Sequence, residues 1–184
     1  MVANERKIDM VILGLLTHEP LTGYDIKKRI DDSIRFFWKG SFGSIYPALS
    51  DMEEKGLIFR IENKNMENRR ERIEYSITDA GRKTLIGWLK TSQASNELKY
   101  ETLLKLFFGG AAGPKAAIKN INAFETDIKS ELELLTIYKK NLSNALEEQD
   151  HVYYYLTVSF GVEMYEGFLR WCKLAKGMLV KIDE

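Results

Sequence analysis

Apolar residues recur in short helical bursts through the first half of the chain and in long, nearly unbroken runs through the second. Ile8 to Leu16 is an apolar-rich segment closed by Thr17-His18-Glu19-Pro20, because a proline biases the residue before it away from helix. Thr22, with Asp25 three residues on, has the arrangement of a capping box. It predicts a helix through about Ile34, with Tyr24 in the first turn and Ile26 and Ile30 on the inner face. Ser44 is expected to cap the next helix, with Pro47 in the first turn, where a missing N–H does no harm. Ile45, Leu49 and Met52 make one buried stripe, and Gly56 stops the helix as a left-handed C-cap.

Two extended segments follow. Leu57 to Glu62 is rich in Leu, Ile and Phe, and Arg72 to Ile77 alternates Ile73, Tyr75 and Ile77 with Arg72, Glu74 and Ser76, a period of two. The polar run Asn63 to Glu71 between them reads as a hairpin tip, and Thr78 caps a fourth helix through Trp88 and Leu89. Three helices, a hairpin and a further helix make a winged helix–turn–helix. The expected fold is therefore mainly α, with this two-stranded wing over residues 1–92 and an all-helical region over 97–184. Thr91 to Asn96 is the connector.

In the second region Tyr100, Leu103, Leu104 and Phe107 mark a short helix ending at Gly109-Gly110. Pro114 suits the first turn of a long helix carrying Ile118, Ile121, Ile128, Leu132, Leu135 and Leu142. Asp150 is placed to cap the last helix, which runs to about Lys181 and carries two apolar seams. One is Tyr155, Val158, Val162, Tyr165, Leu169, Cys172 and Leu179; the other is Phe160, Met164, Gly167, Trp171, Leu174 and Met178. An offset of two residues separates them by ~200° around a helix. So small a region cannot easily bury both sides of a helix, so one seam is expected on the preceding helix and the other on a second copy of the chain. Periodicity treats the two alike. The seam from Tyr155 to Leu179 is assigned to the homodimer contact, and Phe160, Met164 and Trp171 of the other to a candidate pocket for a small effector; aromatics at this spacing otherwise read as core.

Composition adds bounds. With 45% hydrophobic and 29% charged residues, the chain is ordinary for a globular protein, and no apolar run approaches the ~20 residues of a membrane helix. Met1 to Asp9 does not read as a secretory leader. Cys172 is the single cysteine, which excludes an intrachain disulfide and fits a reducing cytoplasm. It reads as a buried seam thiol rather than a redox sensor. Catalysis is rejected: His18 and His151 are isolated, one cysteine cannot build a structural zinc site, and there is no Gly-rich phosphate loop; no cofactor or metal is expected. Net charge is zero, with 16 Lys/Arg against 14 Asp/Glu in residues 1–90 and 11 against 13 in the rest, so a nucleic-acid partner must be argued from local charge.

The segments Ile12-Leu13-Gly14-Leu15-Leu16, Pro20-Leu21-Thr22-Gly23-Tyr24-Asp25-Ile26 and Gly43-Ser44-Ile45-Tyr46-Pro47-Ala48-Leu49 resemble the PadR family of transcriptional regulators. Glu53-Glu54-Lys55-Gly56-Leu57-Ile58 and Tyr75-Ser76-Ile77-Thr78-Asp79-Ala80-Gly81 continue the likeness in order, and Leu103 to Gly109 resembles the virulence-activator AphA-like subfamily with a long C-terminal helical region. The resemblance implies a dimeric DNA-binding regulator, usually a repressor, dimerised by its C-terminal helices. In some members a small phenolic or hydrophobic compound releases the DNA.

In a helix–turn–helix the second helix enters the major groove with its N-terminal residues at the base edges. With Ile45, Leu49 and Met52 inward, the groove-facing candidates are Ser41, Ser44, Tyr46, Pro47 and Ser50, and Gly43 lets backbone approach a phosphate. Lys64, Arg69 and Arg70 at the wing tip and Lys27 and Lys28 on the preceding helix are the phosphate or minor-groove candidates, and Tyr24 is placed equally as a phosphate contact or a core tyrosine. Asp51, Glu53 and Glu54 are expected to face away from phosphates. The reading is a sequence-specific regulator of double-stranded DNA, acting as a homodimer on an inverted repeat. The alternative is a winged helix used for protein contacts alone, which zero net charge suits.

Overall fold

The computed structural model describes residues 6–38, 44–63, 72–92, 94, 96, 99–148 and 150–183. The chain divides into two compact units, Met1–Ser95 and Asn96–Glu184, and the division falls inside the polar connector.

The first unit holds α1 (Lys7–Leu15), β1 (Leu21–Thr22), α2 (Gly23–Asp32), a 3₁₀ turn at Ile34–Phe36, α3 (Ile45–Glu54), β2 (Ile58–Asn63), β3 (Arg72–Ile77) and α4 (Asp79–Leu89). The expected capping box is present. The Asp25 N–H donates to Thr22 Oγ1 at 3.1 Å and the Thr22 N–H donates to Asp25 Oδ2 at 3.3 Å, so two otherwise orphaned donors are satisfied at the start of α2. Thr78 does the same for α4, accepting from the Gly81 N–H at 3.0 Å while its hydroxyl donates to the Gly56 and Leu57 carbonyls. Gly56 sits at φ 68°. Its N–H reaches Glu53 O at 3.0 Å and the Leu57 N–H reaches Met52 O at 2.9 Å, which is the paired bonding of a Schellman stop. Ser44 departs from expectation. Its backbone is already helical (φ −90°, ψ −11°), and its side chain makes no capping hydrogen bond, because capping requires an extended residue at that position.

The sheet has three strands, not two, in the order β1-β3-β2, all antiparallel. Leu21 and Thr22 pair with Tyr75 and Glu74, and β2 pairs with β3 from Ile58 opposite Ile77 to Asn63 opposite Arg72. The core lies between this sheet and the helices: Ile12 and Leu13 of α1, Ile26 and Ile30 of α2, Ile45, Ala48, Leu49 and Met52 of α3, Ile58, Tyr75 and Ile77 of the strands and Leu85 of α4. Gly81 fixes how α4 meets the sheet. A Cβ there would lie 2.2 Å from the Leu57 carbonyl oxygen, so only glycine allows this approach.

The second unit holds α5 (Glu101–Phe107), a 3₁₀ turn at Gly109–Ala111, α6 (Pro114–Ser143) and α7 (His151–Asp183). Pro114 opens α6 as expected, after Gly113 at φ 81°. The Asp150 carbonyl accepts from the Tyr153 and Tyr154 N–H groups at the start of α7. The two long helices run antiparallel: Phe124 meets Trp171 (ring centroids 6.3 Å apart), Glu125 pairs with Lys176, and Leu135 closes against Gly161. Their shared seam buries Ala117, Ile121, Ile128 and Leu135 of α6 against Val162 and Cys172 of α7.

Candidate nucleic-acid interface

The inward stripe of α3 is fully consumed by the core, and this sets what α3 shows to solvent. Tyr46, Pro47 and Ser50 lie on the outer arc and are exposed, Tyr46 to 65%. Tyr46 is nevertheless anchored. Its ring edge lies so close to α2 that a Cβ on Gly23 would come within 2.7 Å of Tyr46 Cε1. Glycine at the first position of α2 therefore leaves room for the Tyr46 ring edge against that helix's start, and Tyr24, the next residue of α2, is 69% exposed. Lys27 and Lys28 are exposed on the next turn of α2. The structure thus brings together Tyr24, Lys27, Lys28, Tyr46, Pro47 and Ser50 around the paired starts of two helices, with Ser44 half-buried beside them. Ser41, Gly43, Lys64, Arg69 and Arg70 lie outside the described residues.

The acidic residues of α3 fall into two groups. At about 100° per residue, Asp51 and Glu53 stand on opposite flanks of the exposed arc, both half-buried. Lys55 donates to Asp51 Oδ2 at 2.8 Å, and Arg6 also pairs with Asp51 while its guanidinium holds the buried Asp9 at 3.1 Å. Hydrogen bonding from Lys55 and the charge of Lys55 and Arg6 hold the Asp51 carboxyl below the usual carboxylate range. On the other flank Arg60 of β2 donates to Glu53 Oε2 at 2.8 Å and lies 5.8 Å over the ring of Tyr75. Glu54 differs from the expectation that it faces away: it is exposed on the outer arc, in the last turn, because its angular position is that of Tyr46, Pro47 and Ser50. The roles of Arg6 and Arg60 were not visible in the sequence, where neither adjoins a motif.

In the second unit the seams separate. Tyr155, Val158, Tyr165, Leu169 and Leu179 are half-buried, and Val162 and Cys172 are buried to 6% and 0% exposure. This is the side that packs on α6. Val162 and Cys172 therefore have no surface to give a mate, which corrects their assignment to a dimer contact. Burial pushes the Cys172 thiol up, with Glu125 acting in the same direction. The outer side carries Tyr153, Leu156, Phe160, Leu174, Met178 and Ile182, all exposed. The three proposed pocket residues do not converge within the chain. Phe160 is exposed and Met164 is half-buried. Trp171 lies ~16 Å along the helix from Phe160, inside an aromatic cluster with Phe124, Phe168, Tyr100 and Tyr165 at centroid separations of 5.3 to 6.3 Å.

Among the described residues, no group of three His, Cys, Asp or Glu could hold a metal ion, and no helix is long and apolar enough to cross a membrane. What the first unit offers is a polar and aromatic arc with cations beside it, on α2 and α3.

Residues 12–86 match the transcriptional regulator PadR-like family, and residues 98–179 match the virulence activator alpha C-terminal family. The negative transcriptional regulator PadR of Bacillus subtilis is 27% identical over an alignment covering 96% of this chain and 99% of that one. The crystal structure of Bacillus subtilis PadR in complex with operator DNA is 26% identical with a TM-score of 0.82, covering 95% of this chain and 99% of that one. Bacillus subtilis PadR in complex with p-coumaric acid is also 26% identical, with a TM-score of 0.73 over 97% of this chain and 100% of that one.

Proposed function

We propose that this chain, which belongs to the PadR-like family of transcriptional regulators, binds operator DNA as a homodimer and represses transcription until a small phenolic or hydrophobic compound releases it. The observation that carries the DNA-binding reading is the exposed start of α3, with Tyr46 locked on Gly23 and flanked by Tyr24, Lys27 and Lys28. The N-terminal turn of α3 enters the major groove, Tyr46, Pro47 and Ser50 meet base edges or thymine methyls, and the two lysines meet phosphates. Ser41, Gly43, Ser44, Lys64, Arg69 and Arg70 complete the contact through the helix entry and the wing. Likeness to a protein solved with operator DNA supports the same reading.

The homodimer is supported by the outer side of α7, whose exposed apolar residues have no counterpart to cover them on α6. The contact draws on Phe160, Leu174 and Met178, while Tyr155, Val158, Tyr165, Leu169 and Leu179 belong to the side that packs on α6. Two copies related by a two-fold axis read an inverted repeat with half-sites ~34–36 Å apart. The repressor role rests on the likeness to a negative regulator, and the effector class on the likeness to a protein solved with p-coumaric acid. Within one chain the aromatic cluster around Trp171 is where such a compound is sought, and Phe160 and Met164, earlier on α7, would join it only through a second copy.

The test is binding of the purified protein to DNA from its own upstream region across a salt series, with Tyr46→Ala alongside. The expected result is sequence-preferring binding that weakens steeply with salt, as released counterions require, and that falls at least ~30-fold in Tyr46→Ala. Absence of any binding at low salt sinks this reading and leaves a winged helix used for protein contacts.

A further inference from the structure

We infer that Arg60, and on the opposite flank Arg6 with Lys55, set the affinity of α3 for DNA without touching it, by cancelling the two carboxylates that border its exposed arc. This rests on the DNA-binding reading above. The groove-facing arc of α3 is bordered by Glu53 on one side and Asp51 on the other, each within two turns of Tyr46 and so ~7–10 Å away along the axis. A bare carboxylate bordering a surface that meets phosphates opposes binding, and screening is incomplete at separations near the Debye length of about 8–10 Å at physiological salt. Neither carboxylate is bare.

Arg60 reaches Glu53 from the wing strand β2, 2.8 Å away, and its guanidinium lies over Tyr75, its cross-strand partner. Its backbone position is set by the hairpin register rather than by α3. Asp51 is met by Lys55 one turn later and by Arg6 from the residue just before α1, which Asp9 holds in turn. One flank is thus neutralised from the wing and the other from the chain's first helix. Exposed ion pairs of this kind contribute little to stability. Two independent bridges to the same ten-residue helix, both on the borders of its exposed arc, are better explained by what they do to the field at that arc.

The experiment is a charge-cancellation cycle read by DNA affinity at fixed low salt: wild type, Arg60→Gln, Glu53→Gln and the double variant. Arg60→Gln is expected to weaken binding threefold to tenfold, on the order of what one uncompensated charge does at this range. The double variant is expected to return within twofold of wild type, with an unchanged slope of log affinity against log salt. A double variant as weak as Arg60→Gln, with the slope reduced by about one, overturns the inference, because Arg60 is then itself a phosphate contact. Unchanged affinity in Arg60→Gln overturns it as well. Arg6→Gln with Asp51→Asn repeats the cycle on the other flank should loss of Arg60 loosen the wing, which a thermal melt reports. If wild type fails to bind DNA at all, the reading of the function has failed rather than the shielding alone.

Discussion

The two units of this chain are close to equal in length and opposite in how they finish their cores. In the first, helices on one side and a three-stranded sheet on the other close around Ile12, Leu13, Ile26, Leu49, Met52 and Ile58, and the ends of α2, α3 and α4 are tied by the Thr22 box, the Gly56 stop and the Thr78 cap. In the second, two helices of 30 and 33 residues share one narrow seam, and large apolar side chains remain exposed from Leu103 and Phe107 on α5 to Leu174 and Ile182 on α7. A pair of helices encloses a line, not a volume. An apolar stripe on the far side of α7 can be buried only by something outside the helix pair. The difference separates what each unit shows to solvent: the first presents a polar arc, and the second leaves an apolar face exposed, the face on which the proposed dimer rests.

The comparison breaks most sharply at the outer face of α7. Leu174→Glu with Met178→Glu is expected to raise the dimer dissociation constant at least ~100-fold, since both lie in the apolar patch that would be desolvated. Sedimentation equilibrium at micromolar concentration reads this directly, and an unaltered mass in the variant removes this face from the dimer. The matching perturbation of the first unit is Gly81→Ala. Its new methyl meets the Leu57 carbonyl, and a loss of about 3 kcal/mol is expected in urea denaturation followed by Trp88 fluorescence in a Trp38→Phe/Trp171→Phe background. A stability within 0.5 kcal/mol of wild type, an amount on the order of an ordinary surface change, would show that α4 does not need this close approach.

The smallest effect sharpens the seam between α6 and α7. The hydrogen bond from Lys176, at 2.5 Å, holds the Glu125 carboxyl below its ordinary range. The unfolded chain therefore takes up this proton at a higher pH than the folded one. The pair's contribution is complete above the ordinary glutamate value and is lost as pH falls through and below it, toward the lowered folded value. The contribution is at most about 1 kcal/mol, given a pair that water still reaches. Stability of Lys176→Met measured from pH 7 to pH 3 is expected to lack this part of the acid-side slope.

Features carried by adjacent residues were legible before any coordinates. Thr22 with Asp25, Gly56 after its helix, the Thr78 cap on the Gly81 N–H and Pro114 each act through backbone groups no more than five residues away, so residue type and spacing suffice. Ser44 shows the limit of that logic: a serine before an apolar stripe looks like a cap, and only its helical dihedrals reveal that it does not cap. β1 was invisible because two residues have no period, and its existence depends on Tyr75 and Glu74 standing opposite, more than fifty positions later.

The sequence by itself determined the order of the helices and of the two wing strands, the winged helix and the existence of two seams on the last helix, because period and end chemistry are local properties. Tertiary structure decided the rest. It chose which seam of α7 faces inward, since periodicity is blind to the position of α6 and only packing buries Val162 and Cys172 while leaving Phe160 out. It laid Tyr46 on Gly23, and it brought Arg6 to Asp51 and Arg60 to Glu53. Contacts of this kind leave no mark in spacing, because charge and contact act through space and the chain sets only which residues are available to meet.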